Sequence, residues 1–266
     1  MRVIIDGKKI AESIYKELQV NVAGLSRAPR LAVITCAPNF ETQKYLALKE
    51  AKAHDVGIET KIIELTEEST TDNFLQAVKF AVSEADGVIV QLPLPTHVDT
   101  DAVLNAIPPS HDVDALNHSN TRVLSPVVGA FYEILLLNDI DVREKHVTII
   151  GNGRLVGLPA SQWFMNAGAH VSVVTKDTVN ISEYTKNADI VVCGAGVPEL
   201  LKPDMVKDGV IILDAGTSED GGVLRGDADQ ACAEKASLFT PVPGGIGPIT
   251  IAILLRNVVD CAQNRP

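Results

Sequence analysis

Two spacings of apolar residues alternate along the first 95 residues. A helical spacing over 8–25 predicts an amphipathic helix, whose apolar face consists of Ile10, Ile14, Leu18 and Val22. Short apolar runs that predict strands then alternate with helical segments: strands at 31–35, 58–65 and 87–91, and helices at 41–55 and 71–85. This is the order of a βαβαβ unit, so we expect a parallel sheet with crossover helices.

A second set of segments repeats this alternation. Near-continuous apolar runs predict strands at 147–150, 170–174, 189–193 and 209–214, and a helical pattern at 158–167 follows the first of them. Such runs are typical of parallel strands buried on both faces, and each pair is separated by enough chain for a crossover helix. We therefore predict an α/β protein of two domains that flank a cleft: a βαβ-type domain and a Rossmann-like parallel-sheet domain.

A glycine-rich turn joins the strand at 147–150 to its helix. Gly151, Gly153 and Gly157 have the spacing G-x-G-x-x-x-G, one residue longer than the common dinucleotide fingerprint. Glycine allows a sharp turn and a close approach to a pyrophosphate, whose charge the N–H groups at the helix start would hold. The motif alone also fits a turn that binds nothing, but its place among successive parallel strands favours a nucleotide site.

Polar residues with useful chemistry lie on the first predicted sheet. Tyr45 and Lys49 are four residues apart on a predicted helix and project from one face, and Gln91 ends a buried strand. Lys49 also fits an ordinary surface lysine, and Gln91 a side chain that satisfies nearby backbone. Asp112 and Asp114 fit turn or cap residues, or carboxylates that accept paired N–H donors from a heterocycle.

Composition and net charge limit the kinds of binding partner that the protein can have. The 266 residues are 46% hydrophobic and 21% charged, enough for one large core or two moderate ones. The net charge of −11 argues against nucleic acid or an anionic membrane as the main partner. The N-terminal segment does not have the pattern of a signal peptide, and we expect no apolar run long enough to span a bilayer.

The cysteines point to a reducing compartment. Cys36, Cys193, Cys232 and Cys261 show no C-x-x-C spacing, and two of them lie in or beside predicted strands. We interpret them as reduced, mostly buried thiols of a cytosolic protein, neither zinc ligands nor a disulfide framework. No metal site is expected.

A series of motifs along nearly the whole chain resembles the methylenetetrahydrofolate dehydrogenase/methenyltetrahydrofolate cyclohydrolase family. The motifs are DGKKIA at 6–11, Tyr45 and Lys49 followed by Gly57, GVIVQLPLPTHVD at 87–99, DVDAL at 112–116, VGLP at 156–159, ADIVVCGAG at 188–196 and TPVPGGIGPITIAILLRN at 240–257. Each is modest evidence alone. Together, in this order, they are highly specific.

The resemblance implies an enzyme of one-carbon folate metabolism, linked to purine biosynthesis. Similar enzymes oxidise 5,10-methylenetetrahydrofolate with NADP, or NAD as the alternative, and hydrolyse the 5,10-methenyl product to 10-formyltetrahydrofolate. It assigns the proton transfers to Lys49, oriented by Gln91, with Tyr45 against the folate ring and Asp114 on the pterin N–H edge. A lysine pKa near 10.4 would be too high for this task, so burial and a cationic substrate must lower it.

The same resemblance implies the binding residues and the domain bounds. Tetrahydrofolate derivatives would contact Tyr45, Gln91, Leu92, Pro93, Asp114, Pro243, Gly244 and Gly245, because the loop at 241–248 lies between folate and nicotinamide in similar proteins. The nucleotide would contact Gly151, Asn152, Gly153, Arg154, Val156, Gly157, Thr175, Lys176, Ala195, Gly196 and Thr250. We expect a folate-binding catalytic domain at 1–122 plus 247–266 and an NAD(P)-binding domain at 123–246, in a cytoplasmic homodimer that associates through the nucleotide domain.

The chain departs from the family pattern near both predicted sites. Asn152 and Gly153 occupy positions where an arginine and a serine are common, and Ala115 stands where a glycine usually follows the second aspartate. The loop before the next helix is short, LSPVVG at 124–129. The alternatives to a bifunctional enzyme are therefore a cyclohydrolase with a single activity and a non-catalytic nucleotide-sensing module on the same scaffold.

Cofactor preference stays open at the end of the second nucleotide strand. Thr175 and Lys176 replace the usual histidine and serine, and Asp177 follows them. Lys176 and Arg154 would serve the 2′-phosphate of NADP, whereas an acidic residue such as Asp177 would serve the free 2′-hydroxyl of NAD.

Overall fold

The computed structural model describes residues 2–38, 40–117, 119–120, 122–220 and 223–264. The chain forms two compact units, each built from two stretches of sequence. We call them the three-stranded unit, Glu12–Pro126 with Ile251–Pro266, and the six-stranded unit, Met1–Ala11 with Val127–Thr250.

Helices and strands alternate through most of the described chain. The strands are β1 (Val3–Ile4), β2 (Arg30–Cys36), β3 (Glu59–Leu65), β4 (Gly87–Val90), β5 (His146–Ile150), β6 (His170–Val174), β7 (Ile190–Cys193), β8 (Ile211–Asp214), β9 (Ser218–Asp220), β10 (Val223–Arg225) and β11 (Leu238–Phe239). The α-helices are α1 (Gly7–Ala23), α2 (Phe40–Asp55), α3 (Thr71–Glu84), α4 (Thr100–Asn105), α5 (Pro126–Leu137), α6 (Gly157–Asn166), α7 (Ser182–Thr185) and α8 (Ile246–Gln263).

The three-stranded unit contains the βαβαβ arrangement that the sequence predicts. Its strands are parallel in the order β3-β2-β4. One face of the sheet packs on α3 and α4, with a core that includes Ala32, Ile34, Phe74, Val78, Val88 and Val90. A capping box starts α3, because the Thr70 side chain accepts from the Asn73 N–H while Asn73 Oδ1 accepts from the Thr70 N–H at 2.9 Å.

In the six-stranded unit the parallel order is β1-β11-β8-β7-β5-β6. Its first strand comes from the chain terminus, where Val3 pairs with Leu238 and Ile4 with Phe239. The structure therefore groups residues 1–11 with this sheet, whereas the sequence places them in the other domain. A strand of two residues carries too little pattern to indicate which sheet it joins.

Two connections differ from the expected crossover helices. Between β6 and β7 the helix α7 is a single turn, and between β7 and β8 a 3₁₀ turn at Pro203–Met205 is the only helical segment of the connection. Pro198 and Pro203 lie in the second connection. Proline removes a backbone donor and clashes with a preceding helical turn, so an α-helix cannot run through either position. Pro203 instead starts the 3₁₀ turn, where proline is tolerated.

Helix α8 corrects one expectation from the sequence. Within the described residues, α8 has the length and the apolar composition that a membrane-spanning helix needs. From the sequence we expected no apolar segment of this length. Most of its side chains are buried inside the protein, including Leu255 and Val258. The helix therefore has the character of a core helix, and polar Arg256, Asn257 and Asp260 interrupt its apolar surface.

Candidate functional site

Lys49 lies on the buried face of α2. Leu46 precedes it by three residues and Ala53 follows it by four, and both are buried, as their positions along one helical stripe require. The lysine itself is only 8% exposed. The surface-lysine interpretation that the sequence left open is therefore wrong.

Two other sequence-predicted residues, Gln91 and Tyr45, lie at this lysine. Its Nζ donates to Gln91 Oε1 at 3.2 Å and lies 4.9 Å from the centre of the Tyr45 ring. Gln91 follows β4 directly, and its Nε2 donates to the Leu92 carbonyl at 3.2 Å, which fixes the orientation of the amide. The carboxyl end of the sheet thus presents a buried amine with an oriented acceptor on one side and an aromatic ring on the other.

The charges at this site are strongly perturbed by burial. Desolvation lowers the pKa of Lys49, and the attraction of Asp114 opposes this effect. Desolvation raises the pKa of Asp114 to about 6, which Lys49 counteracts and Asp112 reinforces. A lysine that loses its proton more readily, beside a carboxylate that gains one more readily, is the arrangement expected where protons are transferred.

The structure separates the roles of the two aspartates. Asp112 is buried, and its Oδ2 accepts from the Asn117 N–H at 2.8 Å and from Asn120 Nδ2 at 3.1 Å, so it caps a turn. Asp114 is only partly buried and interacts electrostatically with Lys49. The carboxylate suited to a ligand is therefore Asp114.

Sequence reasoning missed Asn257, which shapes this region, and Thr35, which has a buried hydroxyl near the end of the neighbouring strand β2. Asn257 of α8 donates through Nδ2 to the Val113 carbonyl at 2.8 Å and the Leu124 carbonyl at 2.9 Å, and so fixes the segment that carries Asp114. Thr35 ends the buried part of β2, and its buried Oγ1 has no hydrogen-bond partner. Asn257 ends the family-like motif at 240–257, so the sequence could have marked it as a candidate site residue. Thr35 is an isolated threonine in an apolar strand, and no sequence pattern marks it.

The predicted folate loop belongs to the six-stranded unit. Gly244 has φ +104°, a conformation that favours glycine, and the Gly7 N–H donates to its carbonyl at 2.8 Å. A Cβ at Gly7 would overlap the carbonyl oxygens of Gly244 and Gly245, which explains the glycine of the early DGKKIA motif. The peptide bonds before Pro93 and Pro243 are both cis.

The glycine-rich turn after β5 is built as the sequence predicts. Gly151 has φ +98°, and a Cβ on it would press against the Gly194 carbonyl at the end of β7. A Cβ at Gly157 would overlap the Gly151 carbonyl. These two glycines allow the turns after β5 and β7 to pack together at the carboxyl edge of the sheet.

The same edge has the features that a dinucleotide requires. A Cβ at Gly153 or Gly196 would meet open space, so neither glycine is required by packing within the protein. Helix α6 begins at Gly157 without a side-chain cap. In its first turn the Leu158 and Ala160 N–H groups donate to the Gly153 and Val156 carbonyls, both at 3.0 Å, and Pro159 has no N–H, so the Gly157 N–H is the first-turn donor that remains for an anion. These residues fit a pyrophosphate that approaches the backbone closely.

The remaining predicted nucleotide-binding residues of this unit differ in exposure and in hydrogen bonding. Asn152 is exposed, whereas Arg154 and Val156 are partly buried in the turn. Thr175 follows β6, and its Oγ1 accepts from the Asp177 N–H at 3.3 Å; Lys176 is exposed beside it. Thr250 lies in the first turns of α8, where its hydroxyl donates to the Gly247 carbonyl at 2.8 Å.

Fold and geometry together define a class: an α/β enzyme with a Rossmann-like nucleotide-binding unit and a second unit that holds a buried lysine. Sequence comparisons narrow this class. Residues 5–114 match the tetrahydrofolate dehydrogenase/cyclohydrolase catalytic domain, and residues 126–266 match the NAD(P)-binding domain of the same family. The chain belongs to the tetrahydrofolate dehydrogenase/cyclohydrolase family.

Full-length relatives support this assignment. The chain is 37% identical over 275 residues to the bifunctional protein FolD of Hydrogenobaculum, covering 98% of this chain and 99% of the relative. The crystal structure of the bifunctional FolD enzyme from Campylobacter jejuni is similar with a TM-score of 0.96, 35% identity and full coverage of both chains. A Trypanosoma brucei FolD structure, complexed with NADP and an inhibitor, has a TM-score of 0.91 at 32% identity and covers 98% and 97% of the two chains.

Proposed function

We propose that this chain is a bifunctional enzyme of one-carbon folate metabolism. It oxidises 5,10-methylenetetrahydrofolate with NADP and hydrolyses the resulting 5,10-methenyltetrahydrofolate to 10-formyltetrahydrofolate. The observation that carries the proposal is the buried Lys49 amine, which is hydrogen-bonded to Gln91 beside Tyr45 and Asp114. Membership of the family supplies the substrate class.

The oxidation step demands little proton chemistry from the protein. The lone pair on a folate nitrogen expels the hydride from the methylene carbon and leaves a stabilised cation, while bound NADP supplies the hydride acceptor. The chain contributes binding and orientation. Gly151, Gly153 and Gly157 form the turn that would hold the pyrophosphate, and Ala195 and Gly196 form the neighbouring loop.

The hydrolysis step needs a base and an acid. A water molecule attacks the cationic methenyl carbon, and Lys49 Nζ in its neutral form accepts one water proton. The bond from carbon to N5 then breaks and Lys49 returns the proton to N5, while the remaining hydroxyl proton is released to solvent as the formyl C=O forms. Burial lowers the pKa of Lys49 towards the range in which it can exchange protons at neutral pH.

Asp114 and Tyr45 would hold the substrate. An ionised Asp114 accepts two N–H donors of the pterin side by side, and its negative charge favours the cationic methenyl form. Tyr45 is partly exposed and offers an aromatic face next to the lysine. Gln91 keeps Lys49 directed through its Oε1.

An absorbance assay of the wild-type protein tests the proposal. We expect reduction of NADP with 5,10-methylenetetrahydrofolate, slower reduction of NAD, and accelerated hydrolysis of supplied 5,10-methenyltetrahydrofolate. Hydrolysis without reduction of either nucleotide would support a cyclohydrolase with a single activity, since Asn152 stands where an arginine is common. Absence of both reactions, with nucleotide still bound, would support the sensing module.

We also propose that the protein is a cytoplasmic homodimer that associates through the six-stranded unit. Large apolar side chains are exposed on this unit, among them Tyr132, Leu136 and Leu137 of α5 and Met165 of α6. The two helices contact each other through Tyr132 and Trp163, whose ring centres are 6.1 Å apart. Exposed apolar surface of this kind is typical of an interface. Sedimentation equilibrium is expected to give twice the monomer mass of 28.4 kDa, and a monomer would contradict the proposal.

A further inference from the structure

A single carboxylate holds the loop that follows β7. Three successive backbone N–H groups, those of Ala195, Gly196 and Val197, donate to Asp227 at 2.6, 3.1 and 2.8 Å. Asp227 is fully buried, although the three loop residues are themselves exposed. Hydrogen bonds from backbone N–H to a charged carboxylate are stronger than those between neutral groups, so this loop has a rigid anchor beneath it.

Asp227 is itself fixed by a second buried carboxyl group. Asp214, at the end of β8, accepts from the N–H groups of Asp227 at 3.3 Å and Ala228 at 2.8 Å, and from that of Gly216 at 3.0 Å. The Leu201 N–H also donates to the Asp227 carbonyl at 2.9 Å. The backbone around Asp227 therefore has little freedom to move.

Glycines make room for both carboxyl groups. A Cβ at Gly216 would overlap the carboxyl group of Asp227, and a Cβ at Gly226 would overlap that of Asp214. Burial of two neighbouring carboxyl groups is costly, and desolvation raises the pKa of each. A loop that needed only to close a surface turn would not require such an arrangement.

The location of the anchored loop suggests its use. It follows β7, next to the β5 turn, at the carboxyl edge where ligands of parallel α/β sheets bind. Gly196 has φ +69° and open space on its Cβ side, so the exposed side of the loop can lie close to a ligand.

We propose that Asp227 is a positioning residue for the nicotinamide nucleotide, which it serves by holding Ala195, Gly196 and Val197 in the conformation that receives the cofactor. The inference rests on the proposed nucleotide-dependent function. Asp227 does not touch the nucleotide. Its contribution is to fix the loop before the nucleotide arrives.

The test is a fluorescence titration of NADPH binding to the Asp227→Asn variant. The amide cannot accept all three N–H groups without directing its own N–H₂ at one of them, so we expect affinity at least tenfold weaker than wild type. The matched control is Asp189→Asn in the same unit. Asp189 also accepts a backbone N–H, that of His146 at 2.9 Å, and pairs with Lys207 at 2.6 Å, but at the amino ends of the strands. The control is expected to bind NADPH as wild type does.

Two results would overturn the inference. One is wild-type affinity in Asp227→Asn; the other is an equal loss in Asp189→Asn, which would indicate a general effect on folding. If Asp227→Asn does not fold, amide hydrogen exchange of the wild type decides. We expect Ala195, Gly196 and Val197 to be protected before nucleotide is added, and unprotected amides would contradict an anchored loop. Wild-type protein that hydrolyses methenyltetrahydrofolate but binds no NADPH would instead contradict the nucleotide half of the proposed function.

Discussion

The two units solve similar structural problems with different chemical groups. In both, parallel strands bring their carboxyl ends to one edge, where the predicted site lies. In the three-stranded unit the site consists of side chains, Lys49, Gln91 and Asp114, whose pKa values or orientations are set by burial and hydrogen bonds. In the six-stranded unit it consists of glycines that allow a ligand to approach the backbone closely and of a loop whose N–H groups are held by Asp227.

The difference follows from the two reactions. Hydrolysis of the methenyl group moves protons, so it requires titratable side chains with shifted pKa values. Hydride transfer moves no proton through the protein and requires only that the nucleotide be held and oriented, for which no titratable side chain is needed. Substitutions should therefore separate the two activities.

Removing the Lys49 amine should give the largest effect. We expect Lys49→Met to lower the rate of methenyltetrahydrofolate hydrolysis roughly 10²- to 10⁴-fold, because no general base remains, while NADPH affinity stays unchanged. The matched control is Lys52→Met on the same helix, where the exposed amine pairs with Asp55 at 3.0 Å. Equal rates of hydrolysis by the wild type and Lys49→Met would contradict the assignment of the proton transfers to this amine.

The buried carboxyl group of Asp214 should make stability depend on pH. Its pKa is raised, chiefly by burial, to about 7, above the ordinary value of 3.8 that it regains on unfolding. Its contribution to stability is therefore fully present below about pH 4 and is lost as the pH rises to about 7, at up to about 1.4 kcal/mol per pH unit. The titratable groups that interact with Asp214 are the carboxyl group of Asp227 and the thiols of Cys193 and Cys232. Burial raises the pKa of both thiols, that of Cys232 to about 11.

Urea unfolding from pH 5 to 7 measures this effect. The free energy of unfolding of Asp214→Asn, relative to wild type, should increase across this interval, because the amide does not titrate. A constant difference between the two proteins would show that Asp214 is ionised in the folded state throughout.

A methyl group at Gly153 should interfere with the nucleotide alone. Its Cβ would meet no protein atom within 4 Å, so Gly153→Ala should retain the wild-type melting temperature. If a pyrophosphate lies against this glycine, the affinity for NADPH should fall about tenfold, or about 1.4 kcal/mol. Unchanged affinity by fluorescence titration would place the pyrophosphate elsewhere.

Asp114 should make folate binding depend on pH. Burial raises its pKa to about 6, so about a tenth of the carboxyl groups are ionised at pH 5. The KM for methenyltetrahydrofolate should rise several-fold between pH 7 and pH 5, since a protonated carboxyl accepts the pterin N–H pair poorly. Asp114→Asn should have a higher KM that varies less over this range; an equal variation would assign it to another group.

The smallest effect is expected at Ala115. This residue has φ +53°, in the left-handed region that an alanine side chain disfavours. Ala115→Gly, which places the usual residue of the family there, should increase the free energy of unfolding by about 1 kcal/mol. Chemical denaturation tests this, and a destabilised variant would show that the methyl group contributes packing that outweighs the strain.

Much of the fold could be predicted from apolar patterns. The strand at His170–Val174 was predicted with the same bounds, because a continuous apolar run between turns leaves few alternatives. Helix α8 begins at Ile246, within the proline- and glycine-rich segment that reads as a loop. Pro248 is tolerated there because the first turn of a helix does not use its N–H groups.

The sequence predicts those site residues that lie close together on one segment of the chain. The i, i+4 spacing of Tyr45 and Lys49 indicated a shared face, but not that the lysine is buried. The contacts of Asp227 with the loop at 195–197 join residues about thirty positions apart, and no local pattern encodes them. Such contacts depend on strand order and register, which a single sequence does not specify.

The central claim is that burial makes Lys49 a base, and an NMR titration of ¹³C-labelled dimethyl-lysine tests it most directly. Comparison with Lys49→Met assigns the resonance of this residue. We predict that it titrates at a lower pH than dimethylated lysine model peptides measured as references, because burial lowers the pKa of Lys49. A Lys49 resonance that titrates together with them would contradict the account.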